Sequence, residues 1–424
     1  MSLNRGIQPS IEKIQSLNFK YFEKSGLKSG ADLYYLAGGT EPVIKLELVF
    51  NAGKINEPNS SVASFTAAMM NEGTKHKSGK LLLDGLDYWG AHFQVKTFND
   101  DAVATLYCLE KYLVGALPLF IEAITESIFP EKELSVLKRN SSEKLKLNNK
   151  KNEYIARVTF NEYIYGTEHP LGKRNSAENI LNIERNELLS FYEDFYQSGL
   201  KYAILTGNFK QETITLIENG LNNAGLNHSS INSNKSIGTT QKFGKYQIDG
   251  PNKTQASLKI GKPGPLRNDI HFTDFQLINL IFGGFFGSRL MKKIREDLGL
   301  TYGIHSFYEP GKVLNIWSIE TEVNNKNKTI AVSEIYKELN RILIDNISSK
   351  EIEVARNYLC GAILKSLDNP LSMSSRMKTH IDYNLDRNYM ENYIKEIYRA
   401  SPDSLLNAAN KYLSNDQIIE IVVS

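Results

Sequence analysis

The amino-acid sequence predicts an α+β fold of two similar domains, each with a mostly antiparallel sheet and helices packed on one face. Three observations support this prediction. The order strand, helix, strand, strand, helix occurs twice along the 424 residues. Short similar segments recur at one offset of about 218 residues. A polar segment separates the two copies. One long period repeated once indicates two domains, because a solenoid needs at least three short repeats.

The first copy of the pattern occupies residues 1–221, the predicted N-terminal domain. Alternating apolar residues predict two paired strands, ADLYYLA and VIKLELVFNAG. A helix is predicted over residues 61–72, and a short helix and a strand follow in GLDYWGAHFQVKTF. The next strand, AVATLYCL, leads into the long apolar helix VGALPLFIEAITESI.

The second copy occupies residues 246–424, the predicted C-terminal domain. Its strand TQASLKIGKPG precedes the helical stretch FQLINLIFGGFFGSRLMKKIRE, and the strands LTYGIHSFYEP and VLNIWSIETEV precede the helix KTIAVSEIYKELNRIL. The helix opening at Lys132 recurs at Lys350, and the strand YAILTGNF recurs as the final IIEIVV. These similar segments align the two copies of the pattern in a single register.

Residues 222–245 lie between the copies and are rich in Asn, Ser, Gly and Thr. This composition is typical of a linker, and we predict a hinge between the domains. The alternative is a long surface loop inside one domain. The repeat favours the hinge, because the two copies meet at this segment.

Composition restricts the classes of partner. The net charge is +2 and the basic residues are evenly spread, so neither nucleic acid nor an anionic membrane is indicated. Cys108 and Cys360 each lie in an apolar stretch and are predicted to be buried thiols. No run approaches the roughly 18 apolar residues of a membrane-spanning helix. The first fifteen residues lack the features of a signal peptide, which predicts a cytoplasmic location, or a periplasmic one if a leader was trimmed.

Residues 281–303, IFGGFFGSRLMKKIREDLGLTYG, are the most informative stretch. Gly299 is predicted to end a basic helix and to release the chain into a strand at Leu300. Arg295 then lies in the last helical turn and Tyr302 early in the strand, so both side chains could point at one place. The alternative is an ordinary late-helix arginine that complements the helix dipole, with a tyrosine packed in a half-buried strand.

This stretch resembles the C-terminal domain of the M16 (insulinase, pitrilysin) zinc peptidases, in which LRE-x-x-GL-x-Y supplies an Arg/Tyr pair. The resemblance implies that Arg295 and Tyr302 hydrogen-bond the carbonyl oxygens of a bound peptide and stabilise the oxyanion. It also implies the LuxS/MPP-like metallohydrolase fold, with two domains closing around a substrate chamber. Arg289 and His169 match the family frame too, and we interpret both as architectural.

The N-terminal half carries the frame of the family's zinc motif without its ligands. Residues 61–74, SVASFTAAMMNEGT, fit G-x-x-H-F-x-E-H-M-x-x-x-G-T, and the inverted motif His-x-x-Glu-His is occupied by Ser64, Ala67 and Ala68. Zinc binds imidazole, thiolate or carboxylate groups, which none of these side chains provides. Glu143 falls near the third ligand position, and we interpret it as an exposed helix glutamate. We therefore predict no catalytic residue and no bound metal in this chain.

The combined pattern predicts a non-catalytic, substrate-binding subunit of a heterodimeric M16-type zinc metallopeptidase, inactive alone. The expected partner is an M16 subunit that carries His-x-x-Glu-His and the zinc, and the expected substrate is a peptide. The alternative is a catalytically inert scaffold, or a peptide-binding protein, derived from the same fold. No partnership with nucleic acid or membrane is expected.

Overall fold

The computed structural model describes residue 6, residues 13–14, residues 20–228 and residues 238–424. We call residues 20–228 the first half and residues 238–424 the second half. Each half has its own β-sheet and its own large hydrophobic core. Within these ranges, no helix is both long and apolar enough to cross a membrane.

Six strands form the sheet of the first half: β1 Glu23–Gly26, β2 Asp32–Ala37, β3 Val43–Phe50, β4 His92–Thr97, β5 Ala102–Leu109 and β6 Leu200–Gly207. They lie in the order β1-β2-β6-β3-β5-β4, and only the pair β2 and β6 is parallel. The helices of this half are α1 Val62–Met69, α2 Gly79–Tyr88, α3 Leu113–Thr125, α4 Glu131–Asn148, α5 Asn152–Tyr165, α6 Ala177–Asn182, α7 Arg185–Tyr192 and α8 Gln211–Asn223.

Five strands form the sheet of the second half: β7 Gly244–Ile248, β8 Gln255–Pro263, β9 Ile304–Glu309, β10 Ile316–Asn324 and β11 Ile419–Val423. Their order, β7-β11-β8-β10-β9, repeats the order β2-β6-β3-β5-β4 of the first sheet, again with one parallel pair. The helices of this half are α9 Phe272–Asn279, α10 Lys328–Ile344, α11 Ser349–Ser366, α12 Pro370–Asp382, α13 Tyr389–Arg399 and α14 Pro402–Tyr412. The predicted duplicated α+β fold is confirmed.

The predicted pairing of the first two strands is wrong, because β6 lies between β2 and β3. Strand β6 runs parallel to β2 and antiparallel to β3. It is buried along nearly its whole length, as an apolar central strand must be. The sequence pattern identified β2 and β3 correctly as strands. It carried no information on which strands would be neighbours in the sheet.

Alternation of side chains along each strand separates the core face from the polar face. On β3, Ile44, Leu46 and Leu48 enter the hydrophobic core of the first half, whereas Lys45 and Glu47 point to the opposite face. Helices α1 and α3 cover the core face and contribute residues to the same cluster. In the second half, α9, α10 and α14 contribute equivalent residues. Both cysteines are buried free thiols, as predicted.

Each half also lends one helix to the polar face of the other half's sheet. Phe160 and Ile164 of α5 pack against Ile419 and Ile421 of β11 in the second sheet. Gly261 of β8 makes room for the ring, since a Cβ there would lie 2.9 Å from Phe160. Helix α12 crosses in the other direction and packs on the first sheet. The two halves are therefore joined by a reciprocal exchange of helices.

The predicted linker, residues 222–245, falls between the two sheets in the chain. Helix α8 ends at Asn223 and β7 begins at Gly244. Residues 229–237 of the predicted linker lie outside the described residues. The hinge and the domain boundaries at 221 and 246 stay predictions.

Candidate functional site

Helix α1 preserves the scaffold of the zinc motif. Val62, Phe65 and Met69 are buried at the helical spacing that the sequence predicted. The helix packs against β4 and α7. Ser61, which occupies the frame's glycine position, has φ of 81°, in the left-handed region that favours glycine. The position at which the frame has glycine therefore adopts a backbone conformation that glycine favours, although a serine occupies it.

The three motif positions hold no metal ligand. Ser64 is half-buried and its hydroxyl donates a hydrogen bond to the carbonyl oxygen of Ser61 at 3.0 Å. Ala67 is buried and Ala68 is exposed, and a methyl group has no lone pair to offer a metal. In the part of the chain that the structure describes, no group of three or more His, Cys, Asp or Glu side chains is placed to hold a metal ion.

Glu143 lies on α4 with 63% of its side chain exposed, and it forms an ion pair with Lys146 at 2.7 Å. This arrangement agrees with the interpretation of an exposed helix glutamate. Sequence reasoning missed Glu57, which accepts a hydrogen bond from the backbone N–H of Ala63 at 3.2 Å beside the start of α1. Burial raises the pKa of Glu57 to about 7, against the opposing effect of its backbone hydrogen bonds.

Residues 281–303, which we call the Arg/Tyr segment, follow α9 and contain most of one π-helical stretch, Leu280–Gly284, and all of a second, Met291–Asp297. Gly299 has φ of 61° and ends the second stretch, which confirms the predicted helix stop. The predicted strand start at Leu300 is wrong, because β9 begins at Ile304. Thr301 holds the intervening residues in a bend. Its hydroxyl is within hydrogen-bond distance, as donor, of the carbonyl oxygens of Gly303 at 3.0 Å and Glu322 at 2.6 Å.

Arg295 is half-buried and its guanidinium lies over the Phe286 ring, with Cζ 4.9 Å from the ring centroid. Phe286 is itself 60% exposed, so the stacked pair faces solvent. Within the described residues, Arg295 has neither a hydrogen-bond partner nor an ion-pair partner. Its planar array of donors is therefore free to bind a ligand.

Tyr302 is 95% exposed and lines a cavity of about 320 Å³ with His305, Phe307 and Glu320. Its hydroxyl, like the Arg295 guanidinium, has no hydrogen-bond partner among the described residues. Neither a hydrogen bond nor a ring contact joins Arg295 to Tyr302 in this part of the chain. The structure thus places a half-buried arginine and an exposed tyrosine on one segment without bringing them into contact.

Arg289 and His169 have the architectural contacts that the sequence predicted. Arg289 donates to both carboxylate oxygens of Glu351, at 2.7 and 3.2 Å, and so ties the segment to the first turn of α11. Burial alone would raise the pKa of Glu351, but the Arg289 and Ser348 hydrogen bonds outweigh it and lower that pKa to about 2. The buried His169 ring stacks on a neighbouring tyrosine with an interplanar angle of 15°.

A charged network at the contact between the halves carried no sequence signal. Lys378 of α12 pairs with Asp382 on its own helix and with Asp101 of the first half. Lys201, also from the first half, pairs with Asp382 at 2.9 Å, and the Tyr202 hydroxyl donates to the same carboxylate oxygen. The partners from different halves lie about 180 to 280 residues apart in the chain, so no local pattern could reveal these pairs.

Two family models match this chain. Residues 38–169 match the insulinase model of peptidase family M16, and residues 182–359 match the peptidase M16 inactive domain. The chain belongs to the M16 peptidase family. The degenerate motif lies in the first match of this M16 protein and the Arg/Tyr segment in the second.

Relatives and a solved structure agree with this assignment. The chain is 25% identical over 325 residues to an uncharacterized zinc protease, YmxG, of Bacillus subtilis, covering 75% of this chain and 77% of that protein. It is 24% identical over 374 residues to the non-peptidase homolog YmxG of Helicobacter pylori, covering 85% and 84%. The structure of a peptidase M16 inactive domain from Pseudomonas fluorescens superposes with a TM-score of 0.83 at 23% identity, covering 96% and 98%. That structure is similar in fold.

Proposed function

We propose that this chain is the non-catalytic, substrate-gripping subunit of a heterodimeric M16-type zinc metallopeptidase. In this proposal, a second M16 chain with an intact His-x-x-Glu-His motif holds the zinc and activates water. This chain supplies Arg295 and Tyr302, which bind the peptide on the side opposite the metal. The observation that carries the proposal is a motif helix without metal ligands together with two donor groups on one segment, Arg295 and Tyr302, that have no hydrogen-bond partner among the described residues.

The motif helix, α1, supports the proposal that this chain is non-catalytic. A His-x-x-Glu-His site needs three side chains that donate electron pairs or accept a proton, and Ser64, Ala67 and Ala68 supply no such set. Ala67 stands where the family motif has its general-base glutamate, so the motif also lacks the side chain that would activate water. Peptide hydrolysis therefore requires another chain.

The Arg/Tyr segment supports the proposal that this chain binds the substrate peptide. An arginine fixed by a carboxylate, such as the half-buried Arg289 with Glu351, is committed to the fold. Arg295 instead rests on an exposed aromatic ring, which orients the guanidinium while leaving its N–H groups available. Such donors, aimed at a peptide carbonyl as it becomes an oxyanion, stabilise the transition state. The Tyr302 hydroxyl offers one further donor of the same kind.

The proposal is tested by mixing this chain with an M16 chain that carries His-x-x-Glu-His and measuring zinc-dependent cleavage of a quenched fluorescent peptide. Neither chain alone should reach the rate of the mixture. Arg295→Ala should lower that rate by about 10²–10³-fold, because one oxyanion donor is lost. Arg295→Lys should rescue it only in part, because an ammonium group lacks the planar array of donors.

Lys292→Ala on the same helical stretch is the matched control, since Lys292 is exposed and makes no ion pair among the described residues. Its rate should equal that of the wild type. Thermal unfolding and partner association should be unchanged in all three variants. Equal rates for the wild type and Arg295→Ala would remove Arg295 from the mechanism.

A second candidate function is a catalytically inert protein that keeps the fold as a scaffold. The name of the H. pylori relative, a non-peptidase homolog, favours it. Under this candidate no partner chain would gain activity on mixing, and Arg295→Ala would have no kinetic effect. The mixing experiment therefore separates the two functions.

A further inference from the structure

A cavity of about 740 Å³ opens where α12 crosses the first sheet. Its walls are the polar face of β3, β4 and β5, the turn at residues 97–101, and the second half's α12. Arg267 and Lys312 of the second half complete the lining. Both halves therefore contribute side chains to one cavity.

Basic side chains outnumber acidic ones among the described residues that line this cavity. The basic residues are Lys45, Lys54, Lys96, Arg267, Lys312 and Lys378. The acidic residues are Glu47, Asp100, Asp101 and Asp382. The lining thus carries six positive and four negative charges at neutral pH.

Most of the acidic groups are already engaged. Asp101 and Asp382 are bound by the Lys378 and Lys201 ammonium groups. Glu47 pairs with Lys45 at 2.7 Å. The fourth carboxylate, Asp100, accepts the backbone N–H of Lys312. These contacts compensate the negative charge within the protein and leave little of it to repel an anionic ligand.

Four of the cations are not engaged in this way. Within the described residues, Lys54, Lys96, Arg267 and Lys312 form no ion pair with an acidic side chain. The Nε atom of Arg267 is buried and has no hydrogen-bond partner there. The Arg267 guanidinium is always charged and lines the cavity without a carboxylate partner among the described residues, so it attracts an anionic ligand.

The positive charge around the cavity also affects the pKa values of basic groups there. Arg376 and His380 both have lowered pKa values, caused first by burial and then by charges that include that of Arg267. Burial lowers the pKa of Lys312 and the adjacent Lys201 charge lowers it further, against the attraction of the nearby carboxylates. A ligand with negative charge would relieve this repulsion.

We infer that this cavity binds an acidic stretch of a peptide, through the carboxylates of its Asp and Glu side chains. The inference rests on the proposed function, because the ligand is the peptide that the subunit grips. The unpaired cations come from separate elements: Lys96 lies on β4, Lys54 follows β3, and Arg267 and Lys312 belong to the second half. Such a spread suits several separate carboxylates better than one compact phosphate, which needs donors that converge on a point.

The test measures binding of three fluorescent ten-residue peptides to the full chain by anisotropy: a Glu-rich peptide, its Gln counterpart and a Lys-rich counterpart. The Glu-rich peptide should bind at least about tenfold more tightly than the Gln peptide at low salt, since charge-assisted hydrogen bonds are the strong ones. Raising the salt to about 0.5 M should remove most of this preference.

The double variant Lys54→Gln, Lys96→Gln should reduce Glu-peptide affinity about tenfold and leave Gln-peptide affinity unchanged. Both side chains are exposed, so the substitutions do not threaten the fold. Lys395→Gln, an exposed lysine on α13 far from the lining, is the matched control and should keep the full preference. Arg267→Gln should act like the double variant, with thermal unfolding recorded because its ring contacts are lost.

The outcomes separate this inference from the proposed function. Equal binding of the Glu and Gln peptides overturns the acidic preference alone. Binding of no peptide overturns both. If inorganic triphosphate binds and is lost in the double variant while the Glu peptide shows no preference, the cavity takes a free anion and the inference is wrong. Arg295→Ala should weaken all peptides and keep the ratio between them.

Discussion

Helix α5 of the first half and helix α12 of the second half make equivalent crossings with different side chains. Helix α5 sets Ala156, Phe160 and Ile164 against apolar residues of the second sheet. Helix α12 sets Met373 and Met377 against the first sheet, but the same helix also presents Ser374, Lys378 and Asp382 to charged partners.

The cavities beside the two crossings differ in volume, although charged side chains line both of them. The one beside α5 measures about 320 Å³ and the one beside α12 about 740 Å³. Close apolar packing leaves few voids, whereas a charged contact needs polar partners. One fold therefore supplies an apolar crossing that joins the halves and a charged crossing beside the larger of these two cavities.

The largest change in stability is expected at the apolar crossing. Phe160 is fully buried, so Phe160→Ala should lower the free energy of unfolding by about 3–5 kcal/mol through lost burial and the cavity left behind. Urea unfolding at neutral pH measures it. Phe160→Leu, which keeps most of the volume, is the control and should cost much less. A loss below about 1 kcal/mol for the alanine variant would show that α5 does not anchor the halves.

At the charged crossing, Asp382→Asn should destabilise by about 3 kcal/mol. The amide keeps the shape of the carboxylate but leaves the Lys201 and Lys378 ammonium groups with one carboxylate, that of Asp101, in place of two. The matched comparison is Asp269→Asn, whose lysine partner is half exposed, with an expected cost of at most about 1 kcal/mol. Similar losses for both variants would contradict the special role of the network.

Acid should weaken the charged crossing and spare the apolar one. Burial opposes ionisation of Asp382, but the Lys378 and Lys201 charges outweigh it and lower its pKa from 3.8 to about 2. Because the folded pKa is the lower one, the stabilisation is complete above the unfolded pKa and is lost as the pH falls through about 2. The gap in unfolding free energy between the wild type and Asp382→Asn should shrink by about 2 kcal/mol between pH 6 and pH 2, while the Phe160→Ala gap stays constant.

The smallest effect is expected at Glu143. Its side chain is mostly exposed and its ion pair with Lys146 spans three residues of one helix, so Glu143→Gln should change stability by less than about 0.5 kcal/mol. The substitution should also leave the metal content unchanged, as elemental analysis of the purified chain can check. One zinc per chain that disappears in Glu143→Gln would refute the interpretation of α1 as ligand-free.

The sequence by itself determined the repeat, the scaffold of α1 and the end of the Arg295 helix. These features depend on neighbours in the chain: apolar spacing fixes which face of α1 is buried, and a glycine at position 299 permits φ of 61°. The identity of Ser64, Ala67 and Ala68 likewise decides from the sequence that the motif lacks zinc ligands. None of these conclusions requires knowing which elements pack against each other.

Only the tertiary structure decided the position of β6 between β2 and β3, the exchange of α5 and α12, and the cavity between the halves. Each depends on contacts between residues far apart in the chain, such as Lys378 with Asp101, for which local propensity contains no signal. The strand start at Ile304 was missed for a related reason. Thr301 bonds the carbonyl oxygen of Glu322, on a strand 21 residues away, and that contact holds the chain in a bend where local pattern predicted a strand.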